Sequence, residues 1–491
     1  MSQSFTDHYG MPISTQQAHA AQCWQEGLDR LLSQNAGPNT KFEEAIALDD
    51  GLALAHGGLA FWHMQRVQPA EARTSIARAL ACAAGITRRE RQQLAIINLW
   101  IQGQGRQALT QLIAHLAEFP REALLMRLAH LLYNRGCSSV GEANFPVAYL
   151  GLLQKSAPYC DDHWAFLAEY AWAHHETGAL DEAMRLAQRS LALNPSNAVA
   201  AHSVAHVYFE RGDASTGAEV LGDWLQGFDC PASSYVHLSW HLALFELALG
   251  QYHRALERYE HNIRPYVVAK SLATLPDSAS FLWRLQLYSG TSASTVGTPP
   301  ETSLAGQPWE EVRALATPMA ERPGFAFQVA HAAFALAASD DQEGLTMMLT
   351  HLQRTASQGD LCTREMVVPL VQGIADFAQG QYARAAALLE PVCPQLVRIG
   401  GSHAQREVFE DTLLEAYLRA EQFDKAEAML AERLARRASA RDTFWLGRAQ
   451  AGRGQHTQAQ GSFATAAQSW RLGDTTSLDM TAFHDQYRQT T

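Results

Sequence analysis

No run of the 491-residue sequence approaches the ~20 consecutive apolar residues that a membrane-spanning helix needs. The start, Met1 to His8, lacks both the basic and the apolar segment of a secretory leader, so export is not expected. No Cys-x-x-Cys occurs. The seven cysteines (Cys23, Cys82, Cys137, Cys160, Cys230, Cys362, Cys393) are scattered and odd in number, which reads as reduced, helix-packing thiols in a cytoplasm. There is no glycine-rich phosphate loop, no Gly-x-Gly-x-x-Gly and no nucleophile elbow, so no nucleotide cofactor is expected. His-Glu-x-x-His is missing too: Ser203 follows His202 and Leu238 follows His237, which removes a zincin mechanism. Basic stripes are absent. With 38 Lys and Arg against 50 Asp and Glu the formal charge is −12, so neither nucleic acid nor a membrane is expected as a partner. The acidity itself reads as solubility.

What is present is apolar material and a repeat. Hydrophobic residues make up 47%, enough to bury a core along a chain too long for one core, so domains or a repeat array are expected. A glycine followed five residues later by alanine recurs as Gly103…Ala108, Gly178…Ala183, Gly250…Ala255, Gly380…Ala385 and Gly454…Ala459. Gly212…Gly217 and Glu421…Ala426 are degenerate copies. Glycine can adopt positive φ and end one helix, while alanine lets the next helix approach closely. Pro195 stops the second helix of one copy. The step from Gly178 to Gly212 matches the tetratricopeptide period of about 34 residues. A generic helical bundle with Gly–Ala turns is the competing reading. The repeated offset and the flanking periodicity favour an all-α, tetratricopeptide-like α-solenoid, a right-handed superhelix of antiparallel helix pairs. Breaks at Asn35–Thr40, Gly136–Pro146 and Ser289–Pro308 accompany a drifting period. They suggest an N-terminal helical-repeat region over 1–160, central repeats over 161–288, an irregular loop over 289–308 and C-terminal repeats over 309–491.

In this architecture the first helix of each pair lines an inner groove. Placing the turn glycine at position fifteen starts three such helices at Trp164, Ala198 and Val236. Positions two, five, six, nine and thirteen share a face. The first helix then presents Ala165, Ala168, Glu169, Trp172 and Glu176, the second His202 and His206, the third His237 and His241. Histidines four apart put both imidazoles on one side, the bite that chelates a metal ion. His202, His206, His237 and His241 are therefore candidate ligands, for Zn, Fe, Cu or Ni without distinction. Two other readings stay open: the histidines pack between helices, or they line a cofactor-free groove as acid–base groups. His175 is placed to reach the groove, His174 to be packed, and His163 to take a cap or solvated role.

Three segments resemble the tetratricopeptide repeat protein 38 family: His202-Ser-Val-Ala-His206-Val207, Trp240-His241-Leu242-Ala243-Leu244-Phe245, and Gly400-Gly401-Ser402-His403-Ala404-Gln405-Arg406. Supporting pieces are Asp49 to His56, Arg88-Arg89-Glu90-Arg91 and Asp277 to Leu285, so the resemblance, to a bacterial member, runs nearly the full length. It implies an α-solenoid and little about chemistry. The chain departs from the family where Ser289 opens the irregular loop, since members continue there with a helical segment.

Gly400-Gly401-Ser402 leads into a helix whose exposed amides, with Arg406, could take an anion; the competing role is an N-cap by Ser402 with Arg406 in an ion pair. Asp277, Trp283 and Arg284 carry the same ambiguity. The reading that follows is a small-molecule-binding solenoid, a metal-dependent hydrolytic or oxidative enzyme on a small polar substrate. Glu176, Glu169 and His403 are its catalytic candidates. Trp172, Trp240, Arg284, Arg406 and Gln405 are its substrate-binding candidates. The alternative is an interaction scaffold without catalysis, binding a peptide or protein in the groove.

Overall fold

A computed structural model describes residues 5–289, 308–470 and 473. Its local geometry follows from the Gly–Ala phrase. The turn glycine is left-handed at each copy, with φ +76° at Gly103, +83° at Gly178, +70° at Gly212, +73° at Gly250 and +75° at Gly380 and Gly454. At Gly178 the reversal is closed by Gly178 N–H donating to His175 O (3.0 Å) and Ala179 N–H donating to His174 O (2.9 Å), a paired helix stop. Glu421 takes the same turn at φ +57° without being glycine. The alanine five residues on is fully buried in Ala108, Ala183, Ala255, Ala385, Ala426 and Ala459. At Gly217, a Cβ would lie 2.5 Å from the Phe245 ring, so that copy is degenerate because alanine is already too large.

Two of these glycines separate conformational from steric demand. A Cβ on Gly178 meets nothing within 4 Å, so Gly178→Ala is expected to cost about 1–2 kcal/mol from the backbone alone. A Cβ on Gly212 would sit 2.4 Å from the carbonyl oxygen of Ala438. Gly212→Ala is therefore expected to cost about 3 kcal/mol or more, visible as a lower urea midpoint than that of Gly178→Ala.

The chain divides into two compact units, residues 1–207 with 226–235, and residues 208–225 with 236–491. Each is an all-α solenoid of tetratricopeptide type. The first unit begins with a short hairpin pairing Phe5 with Ile13 and Thr6 with Pro12. Antiparallel pairs follow: Ala18–Leu32 with Pro38–Leu48, Ala53–Gln65 with Pro69–Ala81, Arg88–Ile101 with Gly105–Glu118, Ala123–Tyr133 with Phe145–Ser156, and Trp164–Glu176 with Leu180–Leu193. The helix Ala198–Arg211 comes next. Its N-terminus returns to the first pair, with Ala198 N–H donating to Ser33 O at 3.1 Å.

The second unit holds Ala214–Gln226, Tyr235–Ala248 with Tyr252–Arg258, then Leu275–Ser289 and Trp309–Glu321. The later pairs are Ala326–Ala338 with Gln342–Ser357, Val368–Ala378 with Tyr382–Leu389, His403–Arg419 with Phe423–Arg436, and Ala440–Gly452 with His456–Ser469. The wide irregular turn expected over 289–308 lies, apart from its end residues, outside the described residues. First helices of pairs are buried on nearly every side, as in Tyr235–Ala248, whereas second helices bury one stripe. That asymmetry places the polar residues of first helices in the interior. Among the described residues no helix is long and apolar enough to cross a membrane.

Candidate metal centre

The helix Trp164–Glu176 starts on His163, whose Nδ1 accepts from Phe166 N–H at 3.1 Å. On this helix Glu169, Trp172 and His175 are all buried. The Glu169 carboxylate accepts from His130 (2.6 Å), Tyr149 Oη (2.9 Å) and Arg127 Nη1 (3.1 Å). Burial alone would raise its pKa, but His130 and Arg127 override that and hold it at about 2. Burial lowers the pKa of His130, against the pull of the Glu169 charge beside it. A carboxylate held this low is a poor general base, so Glu169 acts as a tie between three helices. Trp172 is 2% exposed and packs against His130, Tyr149 and His175, so its ring is an interior platform.

At the end of this helix the imidazoles converge. His175 Nε2 lies 3.1 Å from Glu176 Oε1, and both side chains are 1% exposed. The His175 ring stacks on His206 at 4.3 Å between centroids. His206 Nε2 lies 2.9 Å from His202 Nε2, one turn earlier on the helix Ala198–Arg211. His175, Glu176 and His206 can each offer one donor atom within 4.8 Å of the others. His175 Nδ1 is buried and has no hydrogen-bond partner among the described residues. His175, Glu176 and His206 thus bring two imidazoles and a carboxylate from two successive first helices to one point, with His202 joined to them through His206, a donor set suited to Zn²⁺.

The four histidines of the sequence reading fall into both units. His202 and His206 belong to the first, His237 and His241 to the second. His237 Nδ1 lies 3.0 Å from both oxygens of Asp277 and its ring stacks on Trp240 at 5.3 Å. His241 is 1% exposed, with its ring edge-on to His237 and Trp240. Trp240 Nε1–H donates to Ser280 Oγ at 3.1 Å.

The remaining candidates of the second unit are held in internal contacts. Arg284 is 2% exposed and donates to Ala404 O at 2.8 Å, with Asp411 at 3.6 Å. Arg406 donates to Gly401 O. Gln405 and Ser402 form a reciprocal cap, with Ser402 N–H donating to Gln405 Oε1 at 3.0 Å. His403 Nδ1 pairs with Glu210 at 2.7 Å. His403, Glu407 and Glu410 also bring donor atoms together, but Arg433 and Arg437 already bond Glu407.

Sequence reasoning missed Arg127, His130 and Tyr149 around Glu169. The signal was Arg127 and His130 at helical spacing on the first helix of the preceding pair. It also missed Arg433, Arg437 and Arg441, spaced by four.

No protein-family model matches the chain. Among solved structures, the human IFIT1 dimer with m7Gppp-AAAA is similar at 13% identity over 94% of this chain and 95% of that one, with a TM-score of 0.37. Yeast Tom70 is similar at 11% identity over 96% of this chain and 88% of that one, with a TM-score of 0.28. At these scores the likenesses bear on neither the site nor its chemistry.

Proposed function

We propose that this protein is a helical-repeat scaffold for a peptide or protein partner, and that its first unit is stapled internally by a Zn²⁺ ion on His175, Glu176, His202 and His206. The observation that supports the staple is the convergence of His175, Glu176 and His206, with side chains of His175 and Glu176 only 1% exposed and His206 fully buried; His202, 2.9 Å from His206, would complete the set. A closed four-ligand site is the structural kind of zinc site, whereas a catalytic one keeps a position open for substrate. The catalytic candidates point the same way: Glu169 ties three helices together and His403 is paired with Glu210. Membership of the tetratricopeptide repeat protein 38 family is part of this reading, on the segments named above and the repeat architecture.

The close His202–His206 contact is an N–H···N hydrogen bond, and an ion there would replace the shared proton. Metal affinity is then expected to fall on acidification, because the imidazoles bind a metal only when deprotonated. Elemental analysis of protein purified without a histidine tag should find about one ion per chain. Chelation should lower the thermal midpoint by several degrees, and added Zn²⁺ should restore it. Protein that is metal-free and unmoved by Zn²⁺ overturns the staple. Glu169→Gln is expected to lose stability and keep the ion, which separates the two clusters.

A further inference from the structure

In the first unit the segment Phe5–Ile13 lies against parts of the chain distant in sequence, and much of its grip on them is main-chain. Its tight turn is internal: the Asp7 carboxylate accepts from Tyr9 N–H (3.0 Å) and Met11 N–H (2.7 Å), and Gly10 takes φ +78°. Outward, Tyr9 O accepts from Arg121 Nε at 2.8 Å, and Pro12 O accepts from Arg89 Nη2 at 2.6 Å. His8 N–H donates to Gln25 Oε1 at 3.0 Å. Two side chains add identity. The Tyr9 ring is 4% exposed, stacks on His163 with centroids 3.7 Å apart, and its hydroxyl donates to Asp29 Oδ1 at 3.2 Å. The exposed His8 ring reaches Asp29 Oδ2 at 3.1 Å.

The receiving side chains have other partners that hold them in place. Arg89 Nη1 donates to Glu122 at 2.6 Å, Arg121 Nη1 to Asp162 at 3.0 Å and Gln25 Nε2 to Asp29 Oδ1 at 3.0 Å, while His163 accepts from Phe166 N–H. A site held this way stays formed when emptied, which spares a ligand the cost of ordering it. The segment is the opposite. Its strands are two residues each, and a lone two-stranded hairpin is marginal in water, so it keeps its shape on this surface and not off it. It also buries a carboxylate, Asp7, and the two amides offset that cost only in part. Just beyond it, Ser14 N–H donates to Glu90 Oε1 at 2.8 Å and Thr15 Oγ1 donates to Asp49, a fixed point from which residues 5–13 swing.

We propose that this surface is the docking site for a tyrosine-bearing turn of a partner protein, and that the chain's own turn, Asp7–Pro12, occupies it until such a partner displaces it. This docking deepens the scaffold reading, on which it rests. The partner must present an aromatic ring with a hydroxyl to His163 and Asp29, the carbonyl of that residue to Arg121, and the carbonyl three residues later to Arg89. The site is independent of the zinc staple.

Fluorescence anisotropy of a labelled peptide of sequence Phe5–Ile13, titrated with the full chain, tests this. In the wild type the tethered turn competes at an effective concentration on the order of millimolar, so the peptide should bind weakly. Gly10→Ala strains the tethered turn and nothing else, since a Cβ there meets no atom within 4 Å, and it should tighten peptide binding roughly tenfold. Tyr9→Ala takes the tethered ring off His163 and should tighten it further. The peptide carrying Tyr9→Ala should bind neither variant. Circular dichroism checks that each variant is folded; if Tyr9→Ala is not, the Gly10→Ala comparison decides. No peptide binding to the folded variants at about 1 mM, binding as tight to wild type as to Gly10→Ala, or equal binding of the peptide that lacks the ring overturns the docking site. Those results would leave the scaffold reading standing, because they concern this surface alone.

Discussion

Replacing Arg433 by alanine is expected to destabilise the second unit by about 3–5 kcal/mol, because it leaves buried carboxylates without their counter-charge. Arg433 is 5% exposed and bridges acids from two helices. Nε donates to Asp442 at 2.9 Å, Nη2 to Asp411 at 2.9 Å and to Glu407 at 3.3 Å, and Nη1 reaches Glu410 at 3.5 Å. Glu407 keeps Arg437, and Asp411 keeps Arg284 at 3.6 Å and the Tyr288 hydroxyl at 3.0 Å, so the loss is severe without being total. Burial already pushes the Asp411 carboxyl up, and Arg433 only partly offsets it. Without Arg433 the folded variant binds protons more readily than the unfolded chain does. Its deficit should therefore be largest near pH 8 and shrink towards pH 5. Urea denaturation at both pH values reads this. The exposed Lys425–Glu390 pair is the contrast: Lys425→Ala should change stability by less than about 1 kcal/mol. An Arg433→Ala deficit equally small, or independent of pH, would count against the buried network.

Acid should unfold the first unit through His163. The ring is 1% exposed, stacks on Tyr9 at 3.7 Å, and accepts from Phe166 N–H through Nδ1. Protonation would turn that acceptor into a donor facing a donor. Burial, helped by the positive charge of Arg121, lowers its pKa from 6.5 to about 3. A base whose folded pKa is depressed is protonated first in the unfolded chain. Its contribution is complete above about pH 6.5 and is lost as pH falls towards 3, amounting to roughly 5 kcal/mol over the whole window.

Asp7, two residues from Tyr9, opposes this. Burial raises its pKa from 3.8 to about 6, so the folded state takes up a proton first and gains stability as pH falls through that range. The Asp7 gain is common to wild type and variant, so the comparison isolates His163. Asparagine at 163 can still cap the helix. His163→Asn is expected to be less stable than wild type at pH 7 and to recover roughly 3 kcal/mol relative to it by pH 4. Parallel pH profiles for the two proteins would contradict this.

The repeat was legible because a turn needs one residue with positive φ and a close helix contact needs one small residue, and both leave a mark at fixed spacing. Even the imperfect copies make sense: Gly217 faces Phe245, and Glu421 adopts the left-handed turn. Helical spacing also put Glu169, Trp172, His202 and His206 on inner faces. What spacing does not carry is the identity of the neighbour. Glu169 meets Arg127 and His130 from 42 and 39 positions upstream, and His403 meets Glu210 across 193 residues. Those pairings depend on how one helix pair stacks on another. His175 adjoined the expected face without being among the expected ligands, since a face drawn at positions nine and thirteen passes on either side of it.

Cobalt(II) titration of chelator-treated protein tests the zinc staple most directly, because the visible d–d bands of cobalt report ligand number and geometry. One equivalent taken up with the strong absorption of a tetrahedral site, displaced by Zn²⁺, absent in His206→Ala and retained in Glu169→Gln, is the predicted result. Weak octahedral absorption, or the same spectrum after His202 and His206 are both removed, would contradict it.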